Sequence, residues 1–303
     1  MFTPTGITLR DDALHKKQRM LSIETFYYDA LFDNGYSIVS LINKFKFGPT
    51  GLILTGMFLY KNSQTINSER KRYFPHRLIG SEEEPHIIID HKNIIQTVNK
   101  ESNKWVIAVS MGNTQNGFTL TCHQKTPGFK GTTPLGQWLV IPLYDVQGTL
   151  YVDGQAITSK GRGYHDHNIY PLSTPLKLQG YHFGKIAVDA LTITWARVLK
   201  KGSDEQPIVV VNNDQTYTSI APDDIHFILN KQEKKYPPES FELHVHAHSI
   251  SLDLTMRTQA THEITMPGLH YYRSHLHVNG TLQINEMKKT INDTEISELL
   301  TFF

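Results

Sequence analysis

The chain has 303 residues, 30 Lys and Arg against 29 Asp and Glu, a formal charge of +1 and 39% hydrophobic content. That length carries an expectation of two domains of roughly 150 residues each. The balanced charge gives no chain-wide reason for nucleic acid as a partner, because counterion-release binding needs clustered cations.

In chain order, Met1 to Met20 carries Arg10, Asp11, Asp12, Lys16, Lys17 and Arg19 and no uninterrupted apolar core, so no signal peptide is expected. Short runs rich in Val, Ile, Thr, Tyr and Phe, punctuated by Gly, Pro, Asn and Asp, then predict strands over 36–45, 51–60, 86–90, 104–111, 117–123, 138–146, 149–152, 185–199, 206–212, 241–256 and 271–278. The longest apolar runs, such as Trp138 to Leu143, fall far short of the roughly 20 residues of a membrane-spanning helix. The single cysteine, Cys122, rules out an intramolecular disulfide and a Cys-rich zinc module. A cytoplasmic location is the expectation from these features.

Lys61 to Pro85, with Glu69-Arg70-Lys71-Arg72 and Glu82-Glu83-Glu84, reads as a solvated loop, and Lys231 to Pro238 as another. Proline in Tyr170-Pro171-Leu172-Ser173-Thr174-Pro175 blocks ladder hydrogen bonds and marks a boundary between residues 1–172 and 173–303. Two segments, Leu150 to Gly154 and Leu276 to Gly280, resemble each other, with Asp153-Gly154 and Asn279-Gly280 as tight turns. They reflect either recurrent turn chemistry or two related β-domains in tandem. Only the end reads as helix: Asn292 and Glu295 have capping-box spacing, and Ile296, Leu299, Leu300 and Phe303 recur at helical intervals.

The densest polar constellation is Gly161-Arg162-Gly163-Tyr164-His165-Asp166-His167-Asn168. In an extended strand, Tyr164, Asp166 and Asn168 share one face and His165 and His167 the other. A phenol, a carboxyl and an amide together are costly to bury unless they satisfy one another or line a wet cavity. Read from the residues alone, the group is equally a structural brace or a site.

This string resembles the Gly-x-Gly-Tyr-x-Asp-His-Asn signature of the carotenoid 1,2-hydratase (hydroxyneurosporene synthase) family, part of the lipocalin-like superfamily. Glu24-Thr25-Phe26-Tyr27-Tyr28-Asp29 is similar to the family's Glu-x-Trp-Tyr-Phe-Asp segment, Trp138 to Pro142 to its Trp-containing strand, and Tyr181-His182-Phe183-Gly184-Lys185 to its Trp-Gly-Arg segment. The resemblance implies an all-β fold of two tandem lipocalin-like barrel or sandwich domains, to which the periodicity adds a short C-terminal helix. It also implies cofactor-free, metal-free hydration of a carbon–carbon double bond in an isoprenoid-like substrate.

Asp166 is then the candidate acid, since a carboxyl in an apolar pocket keeps its proton towards neutral pH. Tyr164 and Trp138 would face the carbocation, and His167 or Asn168 would orient Asp166 or the water. Tyr28 and His182 complete the implied substrate wall. Where the family carries a histidine two residues before the strand tryptophan, this chain has Gly136. The alternative is a non-catalytic binder or carrier of a hydrophobic small molecule, for which peripheral membrane contact is open.

His244-Val245-His246-Ala247-His248 reads foremost as the outward polar face of a strand whose other face is Phe241, Leu243 and Val245. Three imidazoles about 6.6 Å apart along one strand do not meet one tetrahedral metal, though two reach it with a third ligand from a neighbouring strand. After Ser249 the apolar parity switches to Ile250, Leu252, Leu254 and Met256, which predicts a bulge or a strand shared between cores. No phosphate loop, His-Glu-x-x-His, Gly-x-Ser-x-Gly or dinucleotide fingerprint is present.

Overall fold

The computed structural model describes all residues except 1, 17–19, 102–103, 203–204, 230–236 and 267, so most of the expected 231–238 loop lies outside the described residues. The chain forms two compact all-β units, Pro4–Thr174 and Pro175–Phe303 with Met1–Thr3. Among the described residues the only α-helix is the single turn Thr174–Lys177, and no helix is long and apolar enough to cross a membrane.

In the N-terminal unit the central strands lie side by side in the order Thr50–Lys61, Tyr36–Phe47, Leu21–Phe32, Gln155–Pro171, Gln137–Val152 and Gly117–Gln124, every pair antiparallel. Alternation sends Phe26, Tyr28, Ala30, Ile38, Ile42, Leu120 and Tyr144 to one buried core. The larger of these, such as Phe26, Ile38, Ile42 and Leu120, each contribute about 1.5–3 kcal/mol on leaving water. The Lys61 to Pro85 stretch contains the short strand Leu78–Gly80 and, before it, a longer one, Gln64–Tyr73. It is mostly exposed, which explains why its charged residues read as loop.

The C-terminal unit is a sheet whose centre runs Leu191–Lys200, Leu178–Val188, Met287–Phe302, Leu269–Ile284, Ile250–Met266 and Ser240–Ala247. Its core gathers Trp195, Phe241, Leu243, Leu254, Met256 and Val278. Two expected single strands are hairpins here: 185–199 turns at Asp189, and 241–256 turns between Ala247 and Ile250. Reversal of the chain, rather than a bulge, therefore produces the parity switch after Ser249.

The expected C-terminal helix is the strand Met287–Phe302. Residues Glu295 to Leu299 are buried in succession, so both faces of the strand are covered and the apolar alternation that marks a strand is lost. The second expected turn is also displaced. Asn279-Gly280 lies inside the strand Leu269–Ile284, and the chain turns at Asn285, whose φ of 51° matches that of Asp153 in the N-terminal hairpin.

With that correction the two hairpins share one register from the turn as far as Tyr144 and Leu276, beyond which a bulge shifts the N-terminal one. Gln137–Val152 with Gln155–Pro171 corresponds to Leu269–Ile284 with Met287–Phe302, each residue 132 positions on near the turn. Gln147 pairs with Lys160 as Asn279 pairs with Asn292, and Tyr144 with Gly163 as Leu276 with Glu295. Gly148 and Gly280 occupy the same place at φ 158°, where a Cβ would stand about 2 Å from the carbonyl oxygen of Thr119 or Asp253.

Candidate functional site

The signature lies on Gln155–Pro171, between Leu21–Phe32 and Gln137–Val152. Register places Asn168 opposite Trp138 and Thr25, Asp166 opposite Val140 and Tyr27, and Tyr164 opposite Asp29. Cross-strand partners share a face. Trp138, Tyr164, Asp166 and Asn168 are thus brought together with Tyr27 and Asp29 on the face of the sheet opposite the N-terminal core.

The Tyr164 hydroxyl donates to Asp166 Oδ2 at 3.0 Å, and Asn168 Nδ2 donates to Asp166 Oδ1 at 2.6 Å. Trp138 hydrogen-bonds Tyr164 in turn. Beside them the Tyr27 hydroxyl donates to Asp29 Oδ2 at 3.0 Å, its ring edge-on to Tyr164. Burial, then the charge of Asp166, its hydrogen bond and the charge of Asp29 push the Tyr164 phenol well above its ordinary value. The phenol therefore stays a donor at all physiological pH. The group is a carboxyl gripped by two side-chain donors and walled by aromatic rings, with a second carboxyl one strand away.

His167 and Tyr28 do not join it; both point to the core face. The His167 ring stacks on Phe26 at 3.9 Å, with Nε2 3.1 Å from Glu24 Oε1 and Nδ1 3.3 Å from Asp12 Oδ1. Burial alone would lower its pKa, but the hydrogen bonds and charges of Asp12 and Glu24 outweigh it and raise it to about 9. It is an imidazolium between two buried carboxylates. His165 bridges the Tyr27 carbonyl and Asp12 Oδ1 at 2.7 and 2.8 Å, and Tyr28 stacks on its ring at 4.0 Å.

Glu24 further accepts from the His15 backbone at 2.8 Å and from Lys44 Nζ, also at 2.8 Å. The motif histidines thereby tie the segment carrying Asp12 and His15 into the barrel. Sequence reasoning missed Asp12 and Glu24 as their partners, and Lys44 as the cation beside Glu24. The available signal was that two histidines on a core-facing parity need buried acceptors, and Glu24 belongs to a segment already singled out.

His182 belongs to the core of the C-terminal unit. It lies edge-on to Trp195 and Phe241, each at 4.8 Å, and meets Ser297 Oγ at 3.1 Å; burial, then the charge of Arg197, hold it well below its ordinary pKa. It is a neutral core histidine. Nor can a histidine take the place of Gly136, whose φ is 148° and where a Cβ would sit 2.2 Å from the Ile169 carbonyl oxygen.

A cavity of about 10 Å³ remains beside Tyr28, Cys122 and Tyr144, too small for a hydrophobic ligand. A cavity of about 140 Å³ opens near His15, Lys130, Gln137, Trp138 and His167 and is lined by polar and apolar groups alike.

No protein-family profile matches the chain, and no curated protein matches it. Solved structures do. A protein from Nitrosomonas europaea, provisionally described as an AttH, aligns over 97% of this chain and 96% of its own with a TM-score of 0.73 at 11% identity. Kievitone hydratase from Nectria haematococca aligns over 93% of this chain and 89% of its own (TM-score 0.57, 9% identity), as does CghA in its structure with Sch210972 (93% and 89%, TM-score 0.57, 9% identity). At these identities the likeness is one of fold. The chain shares their fold, and its two all-β units have a lipocalin-like form.

Proposed function

We propose that the protein is a cofactor-independent enzyme that adds water across a carbon–carbon double bond of a hydrophobic, isoprenoid-like substrate, in the manner of the carotenoid 1,2-hydratases its signature resembles. The observation that carries this reading is the Asp166 carboxyl, held by Tyr164 and Asn168 beside the Trp138 ring. Kievitone hydratase, named for the addition of water, lends support through its shared fold.

In the forward direction the Asp166 carboxyl gives its proton to one alkene carbon while positive charge builds on the other. The faces of Trp138 and Tyr164 stabilise that charge, as aromatic quadrupoles do. Water adds to the cation and its surplus proton returns to the Asp166 carboxylate, so alkene and water become alcohol with the enzyme restored. Asn168 fixes the carboxyl throughout. His167, Tyr28 and His182 support the scaffold in this reading.

The test is incubation with a panel of linear isoprenoid alkenes and mass analysis of the extracted products. Wild type should add the mass of one water, Asp166→Asn should abolish the gain, and Tyr164→Phe should slow it by roughly 10²-fold, the low end for a positioned proton-transfer group. A panel bound but unchanged by wild type would reject hydration for those substrates. It would favour the second reading, a lipophile carrier, which draws on the CghA structure with Sch210972.

A further inference from the structure

We infer that the outward face of the Ser240–Ala247 and Ile250–Met266 hairpin is a zinc site built by His244, His246 and Asp253. Their candidate donor atoms, one from each side chain, all lie within 4.8 Å of one another. The site lies in the C-terminal unit and is independent of the proposed hydration site. His244 and His246 are two apart on one strand, which puts both imidazoles outward while Leu243 and Val245 enter the core. Asp253 pairs with His244 across the ladder and supplies a ligand from the neighbouring strand.

The distances suit a metal in place of the shared proton. Asp253 Oδ1 is 2.7 Å from His244 Nδ1 and 3.6 Å from His246 Nε2. A tetrahedral zinc with bonds near 2.1 Å needs donor atoms about 3.4 Å apart, so the first pair must open by roughly 0.7 Å and the second is nearly in place. Side chains that are half-exposed can make that adjustment.

The surroundings supply an independent argument. A metal-binding imidazole usually donates its other ring N–H to an oxygen that fixes its orientation. Here the far nitrogen of His244 meets Glu242 Oε2 at 3.0 Å, and that of His246 meets Ser251 Oγ at 3.4 Å. Among the described residues, the ion pairs of Glu242 and Asp253 run to these two histidines, which leaves carboxylate oxygens beside the imidazoles for a dication. His226 is the ladder partner of His244 on the strand Ile225–Leu229 and is exposed. Two nitrogens and one oxygen suit a borderline dication such as zinc. His248, in the turn, is outside the cluster.

The experiment is calorimetric titration of the chelator-treated full chain with Zn²⁺, with metal content after dialysis measured by mass spectrometry. Wild type should hold one Zn²⁺ per chain, His244→Ala and Asp253→Asn should each weaken binding at least 100-fold, and Glu242→Gln should weaken it about 10-fold, as removal of an orienting partner does. His248→Ala should bind as wild type does. All four substitutions are at outward side chains, and circular dichroism verifies that each variant is folded. Absence of zinc binding by wild type would overturn the inference. So would binding unaffected by His244→Ala and Asp253→Asn, or binding lost in His15→Ala, which would assign the metal to the His15, Glu24 and His167 group instead.

Discussion

If His167 is an imidazolium locked between Asp12 and Glu24, the stability of the N-terminal unit must fall as alkali removes its proton. Its pKa moves from 6.5 in the unfolded chain to about 9 in the folded one. A pKa raised on folding gives stability that is complete below 6.5 and lost as pH climbs through 9. At 1.36 kcal/mol per unit the span corresponds to about 3 kcal/mol. The carboxylates act in the opposite sense: Glu24 and Asp12 are held below their ordinary values, so their share is present above about pH 4.5 and disappears on acidification. Stability from this network is therefore greatest between about pH 5 and 6.5.

His167→Gln keeps a hydrogen-bonding side chain but removes the charge, leaving two buried carboxylates without it at a cost of about 3–5 kcal/mol near pH 6. The variant should also lose the alkaline slope. Hydrogen exchange of the amides of Gln155–Pro171 between pH 6 and 9.5, corrected for intrinsic rates, isolates this unit from the other, and the His167 Cε1 proton reports the titration directly by NMR. The reasoning fails if that proton titrates at or below 6.5. It fails equally if wild type and variant show the same dependence on pH.

Further outcomes follow from single side chains. Gly136→His, which would restore the histidine of the resembled family, should destabilise by about 2 kcal/mol or more, because a Cβ meets the Ile169 carbonyl in a left-handed backbone; a thermal melt no lower than wild type would contradict this. Cys122 is buried and its thiol is pushed up to about 12 by burial. It should resist a disulfide reagent at pH 8 in the native protein and react fully in denaturant. Arg273 is fully buried with its Nε 3.0 Å from Glu298 Oε1. Arg273→Met alone should cost about 3–5 kcal/mol, and adding Glu298→Leu should recover most of the loss, as measured by denaturant titration.

The sequence made the faces of the signature legible because strand parity is a rigid constraint: Tyr164, Asp166 and Asn168 could be grouped without coordinates. It could not show that His165 and His167 have carboxylate partners, because Asp12 lies 153 positions from His165 and only the folded chain brings them to 2.8 Å. Segments buried on both faces misled the reading most. Glu295 to Leu299 loses alternation, and its apolar residues then fall at helical intervals by coincidence. Gly280 looked like a turn residue because glycine is ambiguous; here it makes room for the Asp253 carbonyl in mid-strand. Ser249 shows the converse ambiguity, since a parity switch marks a two-residue hairpin turn as well as a bulge.

Under the proposed function, the repeated hairpin sets Asp166 apart from another buried acid. Its counterpart 132 positions on is Glu298, on the same face of the corresponding strand. Glu298 is matched with Arg273, whose NH2 group also donates to the Tyr271 hydroxyl at 3.1 Å, so that copy has the form of a closed ion pair. At the place of Arg273 the N-terminal hairpin has Val140, displaced by the bulge between Ile141 and Tyr144, and Asp166 is held by a phenol and an amide instead. One scaffold thus presents two carboxyls in the same position, one paired with a guanidinium and the other hydrogen-bonded by the phenol and amide of the signature.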